Sequence, residues 1–392
     1  MNVQLAQHKS AGERRGQSAG VASPWWLAPE QCNSNVANRA TPPTVRMRLR
    51  LGEGVLDGSF GAGTIVDFLR ASFGECEEAA GANDAPANLV CTVFESAASP
   101  CAVVELEAGT RFDEAGLAMD LLRHEYLGAD EKFVEVATQS RGWRMIASSF
   151  EPARPVIAIA AGRVVVDLER QPWNFVPRFL VSAVMSLQPA TIFVHAAAVA
   201  IAKKGVLLAG PSGAGKTTLS LGLAARGHDF YGENVVGLRS TTGDLLPFRR
   251  VALLRPGACS RAISGLMARE GVELAHTAAT PGALPKLPFH TTRHFPPAGG
   301  AAVPLECAFF LRSFASRPAA VPFTPAMDAF DHVLRPLSFD ILVAASWGPQ
   351  SGWLMKYLRI CAMLAQARCY HLDCGDPDAT ADLVERTAME TT

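Results

Sequence analysis

The sequence lacks an excess of charge of either sign. Its 36 Lys and Arg residues balance 37 Asp and Glu residues, which gives a formal net charge of -1 at pH 7. A phosphate backbone is held mainly by clustered basic residues, so nucleic acid is not the expected partner. With 49% hydrophobic residues, the 392-residue chain is too apolar for a disordered protein. We expect a folded protein of about two domains, because single cores seldom grow much larger.

The sequence also has no CxxC pair among its nine cysteines, so neither a zinc site nor a redox motif is predicted. An odd number of scattered cysteines suits reduced thiols in a cytosol. The N-terminal stretch has no apolar core of the kind that a secretory signal needs. One apolar run, 179–201, is long enough to cross a bilayer, but Gln188-Pro189 interrupts it and His195 lies inside it. We predict a cytoplasmic protein without a membrane span.

Composition divides the chain into three parts. Residues 1–42 are rich in Gln, Ser, Asn and Ala, which predicts a disordered tail. Residues 43–189 combine short strand patterns, a hairpin around Ala161-Gly162 and a few amphipathic helices, and are interpreted as a smaller α+β domain. In residues 190–392 strands and helices alternate, as in an α/β domain. A stretch rich in proline and glycine at 271–300 is predicted to be a long functional loop.

A glycine-rich segment in the last part matches the Walker A pattern G-x-x-x-x-G-K-[ST] without a mismatch. The pattern around it predicts a strand over 192–201, a strand over 204–210 and a helix over 216–227 that ends at Gly227. In such a P-loop, backbone N–H groups and the helix N-terminus face phosphate oxygens, which predicts ATP binding. The candidate nucleotide-binding residues are Gly210, Pro211, Ser212, Gly213, Ala214, Gly215, Lys216, Thr217 and Thr218.

Two of these residues have more specific expected roles. Lys216 is expected to reach the β- and γ-phosphates, and the Thr217 hydroxyl is expected to help hold Mg²⁺. Thr218 is either a further polar contact or simply a helix residue. The apolar strand before the segment and the helix after it are the context in which this motif binds nucleotides.

The order of motifs resembles the HPr kinase/phosphorylase family and its relatives. The resemblance depends on His195 with the strand after it, GPSGAGKTT at 210–218, RGH at 226–228 and GENVVGL at 232–238. It implies a P-loop on a mixed sheet, similar to that of ATP-dependent phosphoenolpyruvate carboxykinases. It also implies phosphate transfer from ATP to a hydroxyl group. Members of the family modify a serine of a small carrier protein, and related kinases modify a peptide.

The chain departs from the family at the acidic pair, where members carry two aspartates and this sequence has Glu233-Asn234. The resemblance makes Glu233 the counterpart of the base that accepts the hydroxyl proton, and a candidate metal ligand with Thr217. A second signature segment of the family has no match, so the acceptor stays open between a protein, a peptide and a small molecule. Homo-oligomerisation stays open as well.

Other polar residues have competing interpretations. A lone histidine in an apolar run is usually a core residue, whereas the resemblance places His195 beside the transferred phosphate. His228 follows Gly227 and is expected to cap the helix end. The basic residues Arg250, Arg255 and Lys286 are candidates to neutralise phosphoryl charge. His290 and His294 have the spacing of a metal pair, but no acidic third ligand accompanies them, so no metal site is predicted there.

The predicted function is therefore an ATP- and Mg²⁺-dependent kinase that transfers the γ-phosphate to a hydroxyl, with Glu233, His195 and Lys216 as catalytic residues. The alternative is a non-catalytic ATP-dependent binding module or switch, in which the Glu-Asn replacement has removed transfer. A third hypothesis is an ATPase that passes phosphate to water.

Overall fold

The computed structural model describes residues 43–61, 63–78, 86–95, 101–107, 113–125, 132–136, 142–169, 174–254, 261–269, 287–295, 301–325 and 353–390. The predicted tail at 1–42, Arg255 and Lys286 lie outside the described residues, as does most of the predicted loop at 271–300. Helices and strands are numbered below among the described residues.

The first half of the chain forms an eight-stranded sheet in the order β1-β2-β3-β4-β8-β7-β6-β5. Its strands are antiparallel neighbours except β2 and β3, which run parallel. The elements are β1 (Val45–Leu51), β2 (Gly54–Phe60), α1 (Thr64–Phe73), β3 (Leu89–Glu95), β4 (Cys101–Leu106), α2 (Glu114–Glu125), β5 (Phe133–Val136), β6 (Arg144–Ser148), β7 (Pro155–Ala160), β8 (Arg163–Asp167) and α3 (Phe175–Ser186). The predicted hairpin around Gly162 is confirmed as β7–β8.

The second half contains a mixed six-stranded sheet, β12-β10-β11-β17-β19-β18, and smaller sheets β14-β13-β9 and β15-β16. The strands are β9 (Thr191–Val194), β10 (Ala197–Ile201), β11 (Lys204–Ala209), β12 (Asp229–Gly232), β13 (Val236–Arg239), β14 (Leu245–Leu246), β15 (Ala252–Leu254), β16 (Leu287–Phe289), β17 (Leu305–Phe314), β18 (Ala319–Phe323) and β19 (Arg368–Cys374). The helices are α4 (Lys216–Ala225), α5 (Arg261–Arg269), α6 (Thr291–His294), α7 (Trp353–Gln366) and α8 (Pro377–Met389). The chain is therefore a mixed α/β protein.

The strands β10 and β11 of the six-stranded sheet are buried on both faces. Along β10, Ala197, Val199 and Ile201 belong to one apolar cluster, and Ala198 and Ala200 belong to another. Side chains of a strand alternate between the two faces of its sheet, so each face packs against its own layer. This two-sided burial explains the nearly unbroken apolar runs in the sequence.

The larger apolar cluster extends across both halves of the chain. It contains Met47 and Leu56 of the eight-stranded sheet, Phe179 of α3, and Leu207 and Phe310 of the six-stranded sheet. Apolar packing is therefore continuous across the predicted domain boundary between residues 189 and 190. The division into two domains at this point stays a prediction.

Gln188 fastens the end of α3 to the turn between β1 and β2. Its Oε1 accepts a hydrogen bond from the Glu53 N–H at 3.0 Å. Its Nε2 donates to the carbonyl oxygens of Leu51 at 2.8 Å and Val184 at 3.0 Å. The residue is 6% exposed, so these bonds satisfy polar groups that water does not reach.

The prediction of a single strand over 192–201 is wrong. The segment forms β9 and β10, which belong to different sheets, and the chain bends between them at His195-Ala196. The strands β12 and β13 divide in the same way at Glu233, Asn234 and Val235. Because β10 pairs with β12 and β9 pairs with β13, the two breaks lie opposite each other and form one corner.

The helix α4 has the predicted ends. Gly215 precedes it, and Gly227 follows it with φ 98°. The N–H groups of Gly227 and His228 donate to the carbonyls of Ala224 and Leu223, as in a Schellman motif. None of the helices in the described ranges combines the length and the apolar character that crossing a membrane requires.

Candidate functional site

The candidate site lies where the strands of the six-stranded sheet end. Strands β11, β17 and β19 are parallel neighbours, and β12 runs in the same direction because both it and β11 are antiparallel to β10. The carboxyl ends of these strands therefore share one edge of the sheet. In sheets of this kind, ligands bind at that edge.

The segment Gly210–Thr217, here called the glycine loop, connects β11 to the start of α4. Gly210 has φ 153°, and a Cβ at this position would lie 2.8 Å from the carbonyl oxygen of Leu311. Gly215, at the N-cap of α4, has φ 98°, in the left-handed region that favours glycine. The two glycines therefore allow the chain to turn tightly against β17 and enter the helix, whose N-terminus favours anions.

Lys216 is the first residue of α4, and its side chain folds back over the glycine loop. Its Nζ donates to the carbonyl oxygen of Gly210 at 2.7 Å and to that of Pro211 at 3.2 Å. The residue is 6% exposed. A lysine ammonium held against the loop supplies positive charge to any anion that the loop binds.

Thr217 and Glu233 are joined directly, although they are 16 positions apart. The Thr217 hydroxyl donates to the Glu233 carboxylate with an Oγ1–Oε1 distance of 2.5 Å, which is typical of a charge-assisted hydrogen bond. Glu233 is 9% exposed, so this carboxylate lies in a largely water-excluded position. The structure therefore brings the predicted metal ligands together at the start of α4.

The corner of the two sheets positions Glu233. A Cβ at Gly232 would lie 2.6 Å from the carbonyl oxygen of Phe248, so only glycine fits beside that backbone. Asn234 has φ 68°, a conformation that Asn and Asp tolerate better than most residues. Asn234 therefore suits the backbone conformation of the turn without adding a charge beside Glu233.

His195 lies on the opposite side of the same corner. Its Nδ1 is 3.0 Å from the Asn234 carbonyl oxygen. A carbonyl oxygen only accepts, so the Nδ1–H group is the donor in this hydrogen bond. His195 is 5% exposed and therefore cross-links the corner from a buried position.

A cavity of about 420 Å³ lies against these residues. Of the predicted site residues, those that line it are His195, Ser212, Gly213, Gly215, Lys216, Thr217, Thr218 and Glu233, whereas Gly210, Pro211 and Ala214 do not. Two further lining residues, Asn234 and Arg250, were also singled out from the sequence. The rest of the wall was not predicted, and it is formed by Leu219, Val251, Leu253, Leu254, Ile263, Phe314, Cys374, Gly375, Pro377 and Thr380.

Arg250 brings a second cation to the cavity wall. Its guanidinium lies over the Phe73 ring at 4.7 Å from the centroid. Its Nε and Nη1 are buried and make no hydrogen bond within the described part of the chain. The stacked ring holds the guanidinium at the cavity wall, where it adds positive charge.

The other histidine candidates have structural contacts. The His228 N–H caps the end of α4, as predicted. The His228 ring is hydrogen-bonded to the Glu385 carboxylate at 2.9 Å, so the side chain joins α4 to α8. The His294 ring stacks on Phe289 with a centroid distance of 4.9 Å. A metal pair of His290 and His294 gains no support, since the described residues contain no group of three or more His, Cys, Asp or Glu that could hold a metal.

Thr217 and Glu233 supply the oxygen donors that Mg²⁺ prefers, and both line the cavity. Mg²⁺ is usually bound by one or two carboxylates, with water and phosphate oxygens completing its coordination. The donor set therefore fits Mg²⁺ held together with a phosphate-bearing ligand.

Comparison with known proteins gives a distant likeness only. No family model matches the sequence, and none of the curated proteins matches it. Among solved structures, the HPr(Ser) kinase/phosphatase from Coxiella burnetii is similar at 13% sequence identity and a TM-score of 0.22. The similarity covers 50% of this chain and 95% of that chain. A likeness of this size assigns no activity to the chain.

Proposed function

We propose that the chain is an ATP-dependent kinase that transfers the γ-phosphate to a hydroxyl group with Mg²⁺. The observation that carries the proposal is the convergence of Lys216, Thr217 and Glu233 on one cavity. Phosphoryl transfer needs a cation on the phosphate oxygens, a metal ligand and an acceptor for the hydroxyl proton. These three functions correspond to the three side chains.

Each residue has a distinct role in the proposed reaction. The glycine loop and Lys216 bind the phosphates, and Thr217 and Glu233 would hold Mg²⁺, which neutralises phosphate charge when it is bound. The Glu233 carboxylate accepts the proton as the acceptor oxygen attacks the γ-phosphorus. The bond from that phosphorus to the β,γ-bridging oxygen breaks, and ADP leaves. Efficient proton transfer of this kind contributes about 10²–10⁴-fold.

Two further residues support that step. His195 holds the Glu233-Asn234 turn through its bond to the Asn234 carbonyl, and it lines the cavity beside the transferred group. Arg250 adds a fixed positive charge at the cavity wall, where it can bind an anionic oxygen of the phosphoryl group. Both residues act on charge that develops during transfer.

The proposed acceptor is a serine or threonine hydroxyl of a protein or peptide in the cytoplasm. The eight-stranded half of the chain contributes no residue to the glycine loop or to the corner. We assign it to acceptor recognition, with residues 190–392 as the kinase domain and residues 43–189 as the smaller domain.

The test follows label from γ-labelled ATP with Mg²⁺ into an extract of the source organism. Label is expected to reach an extract component with the wild-type chain and with Lys132→Ala, a control at an exposed lysine. Lys216→Ala is expected to abolish transfer, because it removes the ammonium from the loop. Glu233→Gln is expected to keep ADP binding and lose about 10²–10⁴-fold in transfer rate.

Two outcomes would contradict the kinase proposal in different ways. Tight nucleotide binding by the wild-type chain without labelling of any component would favour the switch, with the Glu-Asn replacement as its cause. Label released only as inorganic phosphate would favour an ATPase. Normal transfer by Glu233→Gln would leave the kinase intact and remove Glu233 as the base.

A further inference from the structure

Phe314 is an exposed aromatic residue at the candidate site. It is the last residue of β17, and 69% of its surface is exposed. It pairs in register with Cys374 at the end of β19, and the next N–H, of Ala315, donates to the Cys374 carbonyl at 2.7 Å. The backbone that carries the ring is therefore fixed in the sheet although the ring faces solvent.

The ring lies against the glycine loop. A Cβ built on Gly215 would be 3.8 Å from Cζ of Phe314, and Phe314 lines the same cavity as Lys216 and Thr217. Ligand pockets are lined mainly by apolar and aromatic side chains, so an exposed ring at the wall of the cavity offers surface that a bound ligand can cover. Here the ring is within the reach of any molecule whose phosphates the loop holds.

Sheet order separates this ring from the proposed base. Glu233 follows β12, on one side of β11, whereas β17 and β19 lie on the other side of β11. An acceptor hydroxyl has to approach Glu233, so the remainder of the nucleotide is expected to extend toward β17 and β19. Phe314 lies at that end.

Next to Phe314, the cavity wall is formed by Gly375, Pro377 and Thr380, whose hydrogen-bond donors are already used or absent. The Gly375 N–H already donates to Thr380 Oγ1 at 3.0 Å, and the Thr380 hydroxyl donates to the Asp376 carbonyl at 2.8 Å. Pro377, which has no N–H, lines the cavity beside them. A flat apolar group suits this end of the cavity better than one that needs polar recognition.

From these observations we infer that Phe314 stacks against the base of the bound nucleotide and supplies the base-binding subsite. The inference rests on the proposed function, since it assumes that the glycine loop holds nucleotide phosphates. Stacking on an aromatic ring uses the π-face that every base has, so the subsite is expected to discriminate little between adenine and guanine.

The experiment compares Mg-ADP with Mg-pyrophosphate, which share two linked phosphates and differ in the nucleoside. Binding of each to the full chain is measured by calorimetry for the wild type, Phe314→Ala and Phe314→Tyr. The matched control is Phe150→Ala, because Phe150 is 60% exposed and does not line the cavity. Phe314→Ala is expected to weaken ADP binding roughly ten-fold and to leave pyrophosphate binding unchanged. Phe314→Tyr and Phe150→Ala are expected to bind both ligands like the wild type.

The remaining outcomes each overturn the inference. Equal weakening of ADP and pyrophosphate would mean that the ring supports the glycine loop through Gly215. Unchanged ADP binding by Phe314→Ala would mean that the base lies elsewhere while the proposed function stands. A wild-type chain that binds neither ligand would refute the proposed function together with the subsite.

Discussion

The contribution of the link between α3 and the β1–β2 turn to the free energy of unfolding can be measured by substituting Gln188. Substituting Ala removes the two hydrogen bonds donated by Nε2 and the one accepted by Oε1. Each buried hydrogen bond contributes about 1 kcal/mol net, so we expect Gln188→Ala to lower the free energy of unfolding by about 3 kcal/mol. Gln188 is 6% exposed, so water does not compete with its side chain for these bonds in the wild-type protein.

The assay is equilibrium unfolding in urea, with Gln366→Ala as the control. Gln366 is an exposed residue at the end of α7, and its substitution is expected to change the free energy by less than about 0.5 kcal/mol. For Gln188→Ala the urea midpoint should fall while the slope m is unchanged. A loss below about 1 kcal/mol would refute the reasoning, because it would mean that the three bonds contribute no more than one typical bond.

Three further predictions concern the corner, the α4–α8 contact and acid stability. The Cβ of Gly232→Ala would lie 2.6 Å from the Phe248 carbonyl oxygen, so this variant should be about 1–3 kcal/mol less stable in thermal unfolding and should transfer phosphate more slowly. Unchanged transfer would mean that the corner does not position Glu233. Arg226→Ala removes ion pairs to Asp378, Asp382 and Glu385 of α8. It should lower the free energy of unfolding by about 1 kcal/mol at low salt and by less at high salt, and a decrease that does not depend on salt would indicate lost packing instead. The hydrogen bond from Arg46 lowers the pKa of Asp57, so the ionised Asp57 stabilises the folded state above its unfolded pKa, and this contribution is lost as pH falls below about 4. In that pH range Asp57→Asn should flatten the decline in the free energy of unfolding. An unaltered decline would exclude the Arg46–Asp57 pair as its cause.

The parts of the fold that the sequence predicts well are those with local signals. The loop and helix at 210–227 need backbone conformations that favour glycine at Gly215 and Gly227, and the structure has positive φ at both. The hairpin at β7–β8 likewise has Gly162 in its turn, at φ 71°. Such signals are contained within a few residues, so they can be interpreted without the rest of the fold.

Other features depend on contacts that are distant in sequence. Nothing local marks the bend at His195, since the residues on both sides are apolar and suit a strand equally well. The bend follows from pairing with residues about 40 positions away, at Asn234 and its neighbours. The exposure of Phe314 is equally non-local, because an aromatic residue in an apolar strand is usually buried.

The helix α8 was not predicted, although the sequence contains a signal for its start. Asp376 accepts hydrogen bonds from the N–H groups of Asp378 and Ala379, and Pro377 occupies the first turn. An Asp-Pro pair before an amphipathic stretch predicts a helix start. Recognising it would have placed Pro377 and Thr380 beside the end of β19, and so near the cavity.

The corner at His195 and Asn234 also has a mechanical consequence. The glycine loop follows a strand of the six-stranded sheet, whereas the turn that carries Glu233 leads directly into the small sheet of β9, β13 and β14. The small sheet is joined to the six-stranded sheet a second time, because Leu245 of β14 exchanges two backbone hydrogen bonds with Val303, shortly before the start of β17. The turn that carries Glu233 therefore lies between two fixed joints, so the distance between its carboxylate and the Thr217 hydroxyl is set by how the two sheets are joined.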